Sequence, residues 1–132
     1  MAHAITPFLM FQGKAEAAMQ FYVSLFKDAA ITQIDRYGAN EQGPEGSVRL
    51  AGFRLGKQPF LCLDSPVKHA FDFTPSQSTF VDCEDEAELQ HLFEQLSAEG
   101  EILMPLDDYG FSKKFGWVND RFGVSWQLNL AA

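Results

Sequence analysis

Basic residues are scarce in this 132-residue chain: ten Lys and Arg stand against eighteen Asp and Glu, a net charge of −8. The few cations are scattered. That excludes the clustered positive footprint needed to displace counterions from nucleic-acid phosphates, and it leaves no polybasic membrane patch. Cysteine is equally sparse. Cys62 and Cys83 each sit in an apolar, strand-like run, so they read as small buried hydrophobes in a reducing compartment and not as a disulfide framework. No apolar run reaches transmembrane length, and Met1–Pro7 has neither the basic nor the apolar region of a signal peptide, so the expected location is the cytoplasm, with no membrane partner.

What is present is apolar bulk. Hydrophobic residues make up 46% of the chain and there are 13 Phe. This is ample for a dense core, with area left over for a pocket or a partner, and a homodimer is expected. The length fits one domain, residues 1–132.

The order of elements repeats. Ile5 to Phe11 reads as a buried strand ended by Gln12-Gly13. Ala15, Ala18, Met19, Tyr22, Val23 and Phe26 then recur at helical spacing. Three strands follow, Ile31–Tyr37, Ser47–Leu55 and Gln58–Asp64, the last two meeting at Gly56-Lys57. A turn-rich connector without periodicity, about 65–77, separates this module from the next. The second module, about 78–132, has a strand over Ser78–Cys83 and a helix with Leu89, Leu92, Phe93 and Leu96 on one face. Acidic residues lie at that helix's start and Gly100 marks its stop. Glu101–Leu106 and a closing hairpin complete it. The order is βαβββ twice, although no sequence repeat is visible.

The closing hairpin, Phe115 to Leu130, is the most informative segment. A turn on Asn119, Asp120 and Gly123 joins an apolar strand to one that alternates Val124, Trp126, Leu128 with Ser125, Gln127, Asn129. Together with Ile5–Phe11, Glu16–Tyr22, Gly43–Gly46 and Asp64–Phe71, it resembles the PhnB-like members of the glyoxalase/bleomycin resistance/dioxygenase (vicinal oxygen chelate) superfamily over nearly the whole chain. The resemblance implies an α+β fold in which two tandem βαβββ modules form an open β-cup with helices packed outside. It also brings a 3-demethylubiquinone methyltransferase-like label. The residues do not support that activity: Phe11-Gln12-Gly13-Lys14 has a single Gly where an S-adenosylmethionine enzyme needs a Gly-rich turn, and the strand order is not that of a parallel sheet.

In metal-using members of the superfamily, the ion is held by side chains from the first and last strands of each module. The resemblance puts those places at about Thr6, Ser78, Asp64 or a neighbour, and Gln127, where the family pattern has a Glu. Gln offers a neutral carbonyl oxygen without a carboxylate's charge, and such a set lacks the converging imidazole and charged oxygen donors of a zinc, iron or manganese site. We therefore expect no metal and no cofactor.

Strand parity relative to those positions nominates Thr6, Phe8, Leu50, Cys62, Asp64, Ser78, Trp117 and Gln127 as ligand-binding residues facing the cup. His69 and Phe71 of the connector join them. Asp64 and His69 are the candidates for acid–base catalysis, whereas His3 falls at the N-terminus and His91 beside the apolar stripe of a helix. The expected function is metal-free binding of an unidentified small molecule in an aromatic cavity with a few neutral polar groups. A metal-dependent lyase, isomerase or dioxygenase is the alternative, and a structural dimer module a second one.

Overall fold

A computed structural model describes residues 1–132, and the chain divides into two compact units, Met1–His69 and Ala70–Ala132. In the first unit the order is β1 (Phe8–Phe11), α1 (Ala15–Leu25), β2 (Ala29–Arg36), β3 (Val48–Leu55) and β4 (Gln58–Asp64). Its sheet runs β1-β4-β3-β2, with β1 parallel to β4 and the other pairs antiparallel. The second unit has β5 (Thr79–Asp82), α2 (Glu86–Ser97), β6 (Glu101–Asp107), β7 (Lys114–Asn119) and β8 (Ser125–Leu130). Its sheet, β5-β8-β7-β6, has the same pattern, with β5 parallel to β8. The fold class is α+β, and each unit is βαβββ.

Each helix forms because its sequence offers one apolar stripe to one sheet face. Ala15, Ala18, Met19, Tyr22 and Leu25 of α1 are buried, on the side of the first sheet that carries Ala51, Phe53 and Phe60; the Tyr22 ring lies 5.9 Å from that of Phe53. Full burial of each larger side chain contributes roughly 1.5–3 kcal/mol. In α2 the stripe is Leu89, Leu92 and Leu96, matched by fully buried Val118, Trp126 and Leu128. Its start is specified locally: the Asp85 side chain accepts the N–H of Glu88, and the Glu88 carboxylate accepts the N–H of Glu84. The Glu88 carboxylate thus reaches one residue past the N-cap, a relative of the capping box in which the second bond goes to the preceding residue.

Gly100 has a different role from the helix stop expected of it. The left-handed turn after α2 falls on Glu99, with φ of 61°. Gly100 is instead pressed against the backbone of Asn119 and Asp120, where a Cβ would collide. The first strand is also shorter than the apolar run suggests, because pairing with β4 begins at Phe8.

A buried aspartate organises each unit. Asp64, 4% exposed, accepts the backbone N–H of Gly13, Ala15 and Val48 at 2.8, 2.9 and 3.0 Å. It thereby ties the start of α1 and the start of β3 to the end of β4. Asp120 accepts the N–H of Phe122 and Val124 and the indole N–H of Trp126 at 2.8, 3.0 and 2.9 Å, so the β7–β8 turn and the buried indole hold each other.

Candidate functional site

With a helix against one face of each sheet, the opposite face is where side chains remain to meet a ligand. In the second unit that face is set by the β7–β8 register, Phe115↔Asn129, Trp117↔Gln127 and Asn119↔Ser125. The parallel pair Phe80↔Gln127 adds β5. Val118, Trp126 and Leu128 take the alternate, helix-side positions, so the hairpin separates its polar and apolar faces.

Three kinds of group lie along this open face. At one end is an aromatic cluster. The Phe115 ring is 6.5 Å from Phe80 and 5.0 and 6.1 Å from Phe111 and Tyr109, both edge-on. In the middle stand Trp117 and Gln127 on facing strands, both partly buried. At the other end is a hydroxyl chain: the Trp117 indole N–H donates to Ser125 Oγ at 2.8 Å, and Ser125 Oγ lies 2.7 Å from Ser78 Oγ. The rim is acidic. Asn129 donates its amide N–H to Asp82 at 2.8 Å and Asn119 donates to Glu101 at 3.2 Å, and the amide oxygens of both Asn residues are buried without a partner in the chain.

Other nominated residues fall elsewhere. In the first unit Phe8 pairs with Leu61 and Met10 with Leu63, on the face opposite α1, and Leu50 is exposed there with Phe8. Thr6 precedes β1 and is partly buried. Cys62 and Asp64 correct the parity assignment: both are buried on the helix side, Cys62 opposite Ala51, and Asp64 has its carboxylate committed to three backbone N–H groups. The reason is that β4 is apolar on both faces, so alternation alone carries no sign. Burial pushes the Cys62 thiol up to about 12, with a smaller contribution from the Asp64 charge. A thiol held neutral in this way is a packing group and not a nucleophile. His69 sits at the end of the first unit with Nε2 3.1 Å from Ser65 Oγ, and Phe71 is exposed in the second.

The residues present do not fit the metal that some members of the superfamily use. Asp64 is the only charged donor among the four implied positions, and it is turned to the helix. Ser78 is bound to Ser125, and Gln127 and Thr6 are neutral. No group of three or more His, Cys, Asp or Glu side chains that could hold a metal ion occurs in the chain. Lys114 is paired with Glu86 at 2.7 Å.

The profile of a family described as 3-demethylubiquinone-9 3-methyltransferase matches residues 3–129. The chain belongs to this family. A Bacillus cereus structure described as a putative 3-demethylubiquinone-9 3-methyltransferase, PhnB protein, is 56% identical over 98% of this chain and 100% of that one, with a TM-score of 0.95. A glyoxylase/bleomycin resistance protein/dioxygenase domain from Frankia is 13% identical over 100% and 93% of the two chains, with a TM-score of 0.67. A fosfomycin resistance protein from Listeria monocytogenes, solved with Mn(II) and 1S,2S-dihydroxypropylphosphonic acid, is 11% identical over 98% and 93%, with a TM-score of 0.66. These last two show the fold, that of the glyoxalase/bleomycin resistance/dioxygenase superfamily. No curated protein matches.

The methyltransferase in the family's description is a label, and the PhnB-like chain has its own use for the turn that would matter most to a nucleotide cofactor. The N–H groups of Gly13 and Ala15, which a phosphate or ribose would need, both point at Asp64 Oδ1. Sequence reasoning missed the Ser78–Ser125–Trp117 chain and the burial of Asn129 and Asp120. Asp120 was legible in principle, since an Asp opening an Asp-x-x-Gly turn commonly accepts the N–H groups of its own turn.

Proposed function

We propose that this protein binds a small, partly aromatic or apolar molecule without a metal, on the open face of the β5-β8-β7-β6 sheet. The observation that carries the reading is Gln127: a partly buried amide, opposite Trp117 and Phe80 in the sheet register, with no side-chain hydrogen bond inside the chain. An amide so placed among aromatics offers one donor group and one acceptor to a ligand, the usual economy of a small-molecule site. We also propose a homodimer, supported by the exposed Phe8 and Leu50 on the open face of the first unit's sheet. A cytoplasmic location suits the two free, buried thiols; no helix is long and apolar enough to cross a membrane.

The test is fluorescence titration with a panel of aromatic and apolar small molecules. Trp117 is partly buried on the open face and Trp126 is buried and bonded to Asp120, so Trp117 is the reporter and Trp126 the internal reference. Saturable change that is lost in Gln127→Ala supports the reading. Binding that needs added manganese or zinc would favour a metal-dependent enzyme, and a packed protein that responds to nothing would favour a structural dimer module. Sedimentation velocity reads the oligomeric state independently.

A further inference from the structure

We infer that Ser78 presents an outward-pointing hydroxyl donor to the ligand, and that the site therefore selects flat, neutral molecules carrying a hydrogen-bond acceptor such as a ketone or amide carbonyl. The inference rests on the reading of the open face as a ligand site.

Proton accounting fixes the direction of the hydroxyl chain. Ser125 is 2% exposed, and its hydroxyl has two partners, the Trp117 indole N–H and Ser78 Oγ. An indole N–H can only donate, so Ser125 Oγ accepts from Trp117. The Ser125 proton must then go to Ser78 Oγ. In the reverse arrangement Ser125 would accept twice and strand its own proton in a buried position, which costs a full desolvation penalty. The chain thus runs Trp117 N–H to Ser125 O–H to Ser78 O–H, and the last proton has no acceptor within the chain. Ser78 is only partly buried, whereas Ser125 is buried. Each link polarises the next, so the terminal hydroxyl is a better donor than an isolated serine.

The surroundings set the rest of the selectivity. Ser78 lies two residues before Phe80 and beside Ser125, on the same face as Gln127 and Trp117, so an apolar ring over Phe80 and Trp117 can bring an acceptor to Ser78. Asp82 and Glu101, on the rim, each face an Asn amide. Their negative charge repels a carboxylate or phosphate, leaving neutral acceptors as the favoured class.

Acetophenone and ethylbenzene, nearly equal in shape and differing in the carbonyl, are the probes, with benzoate as the charged control; binding is read by calorimetry and by the Trp117 indole N–H resonance. Acetophenone is expected to bind about tenfold tighter than ethylbenzene and more tightly than benzoate. Ser78→Ala should reduce the acetophenone preference to near unity with ethylbenzene binding unchanged, and Ser78→Thr should keep it. Equal binding of the two neutral probes to the unmodified protein, or a preference that survives Ser78→Ala, overturns the inference while leaving the site in place. If neither probe binds but other aromatic molecules saturate Trp117, the inference falls alone; if nothing binds, the site reading falls with it.

Discussion

The backbone N–H of Gly13 points at Oδ1 of Asp64, 2.8 Å away and 51 residues further along the chain. Together with the N–H groups of Ala15 and Val48, it makes this carboxylate the fastener of the first unit. Asp64→Ala should leave three donors unsatisfied and cost on the order of 3 kcal/mol or more, and Asp64→Asn about 1–3 kcal/mol, because an amide cannot accept on both sides. Urea denaturation reads the loss. A catalytic Asp64 would instead lose turnover with stability intact, and that result would reject the structural role.

Asn129 is buried and donates to the Asp82 carboxylate. Asn129→Asp places a second carboxylate at hydrogen-bond distance, and the pair cannot ionise freely. The new group's folded pKa is raised, so the variant's stability is intact below the ordinary carboxylate range and falls as pH rises through the shifted value. At neutral pH we expect a deficit of about 1–2 kcal/mol. A thermal denaturation series from pH 3 to 8 (about that range suffices) should show the deficit closing at the acid end; a pH-independent deficit would point to lost packing instead.

Cys62 and Cys83 are each pushed up to about 12, chiefly by burial. A thiol with a raised folded pKa favours the folded state below its unfolded value and loses that contribution as pH rises from there toward the folded value. From about pH 9 upward the protein should therefore lose stability, and the Cys62→Ala, Cys83→Ala double variant should lose less over the same interval. Neither thiol should react with an aromatic disulfide reagent in the native state, and both should react in guanidinium. Rapid native labelling would show that one is accessible.

Arg36 holds both oxygens of Glu16 at 2.7 and 2.8 Å on the surface. The hydrogen bond from Arg36 keeps the Glu16 carboxyl below its ordinary value of 4.5, so the pair's contribution is present above that pH and is lost as pH falls through the folded value. Arg36→Gln should lower the melting temperature slightly at neutral pH in low salt, with the difference fading in high salt and at acid pH. A difference that persists in high salt would mean that Arg36 acts through Gly46 O, its other acceptor.

The sequence was most legible where polar and apolar residues alternate. Trp126 and Leu128 against Ser125 and Gln127 orient β8 unambiguously, and Trp117 follows through the hairpin register. It was least legible in Phe60-Leu61-Cys62-Leu63-Asp64, where both faces are apolar and the single carboxylate looks like a site residue. What buries Asp64 is a set of backbone N–H groups from Gly13, Ala15 and Val48, and no local pattern announces partners that distant. The Ser78–Ser125 contact was hidden for the same reason, since it spans 47 residues and joins the residue just before β5 to its parallel neighbour β8.

That parallel pairing also governs the order in which the second unit can assemble. β5 has only β8 for a neighbour, and β8 is the unit's last strand to be made, entering between β5 and β7. As the nascent chain leaves the ribosome, β5 must wait through α2, β6 and β7 with both edges unsatisfied. Translation pauses in the closing hairpin would prolong that exposure, and chaperone demand should peak there.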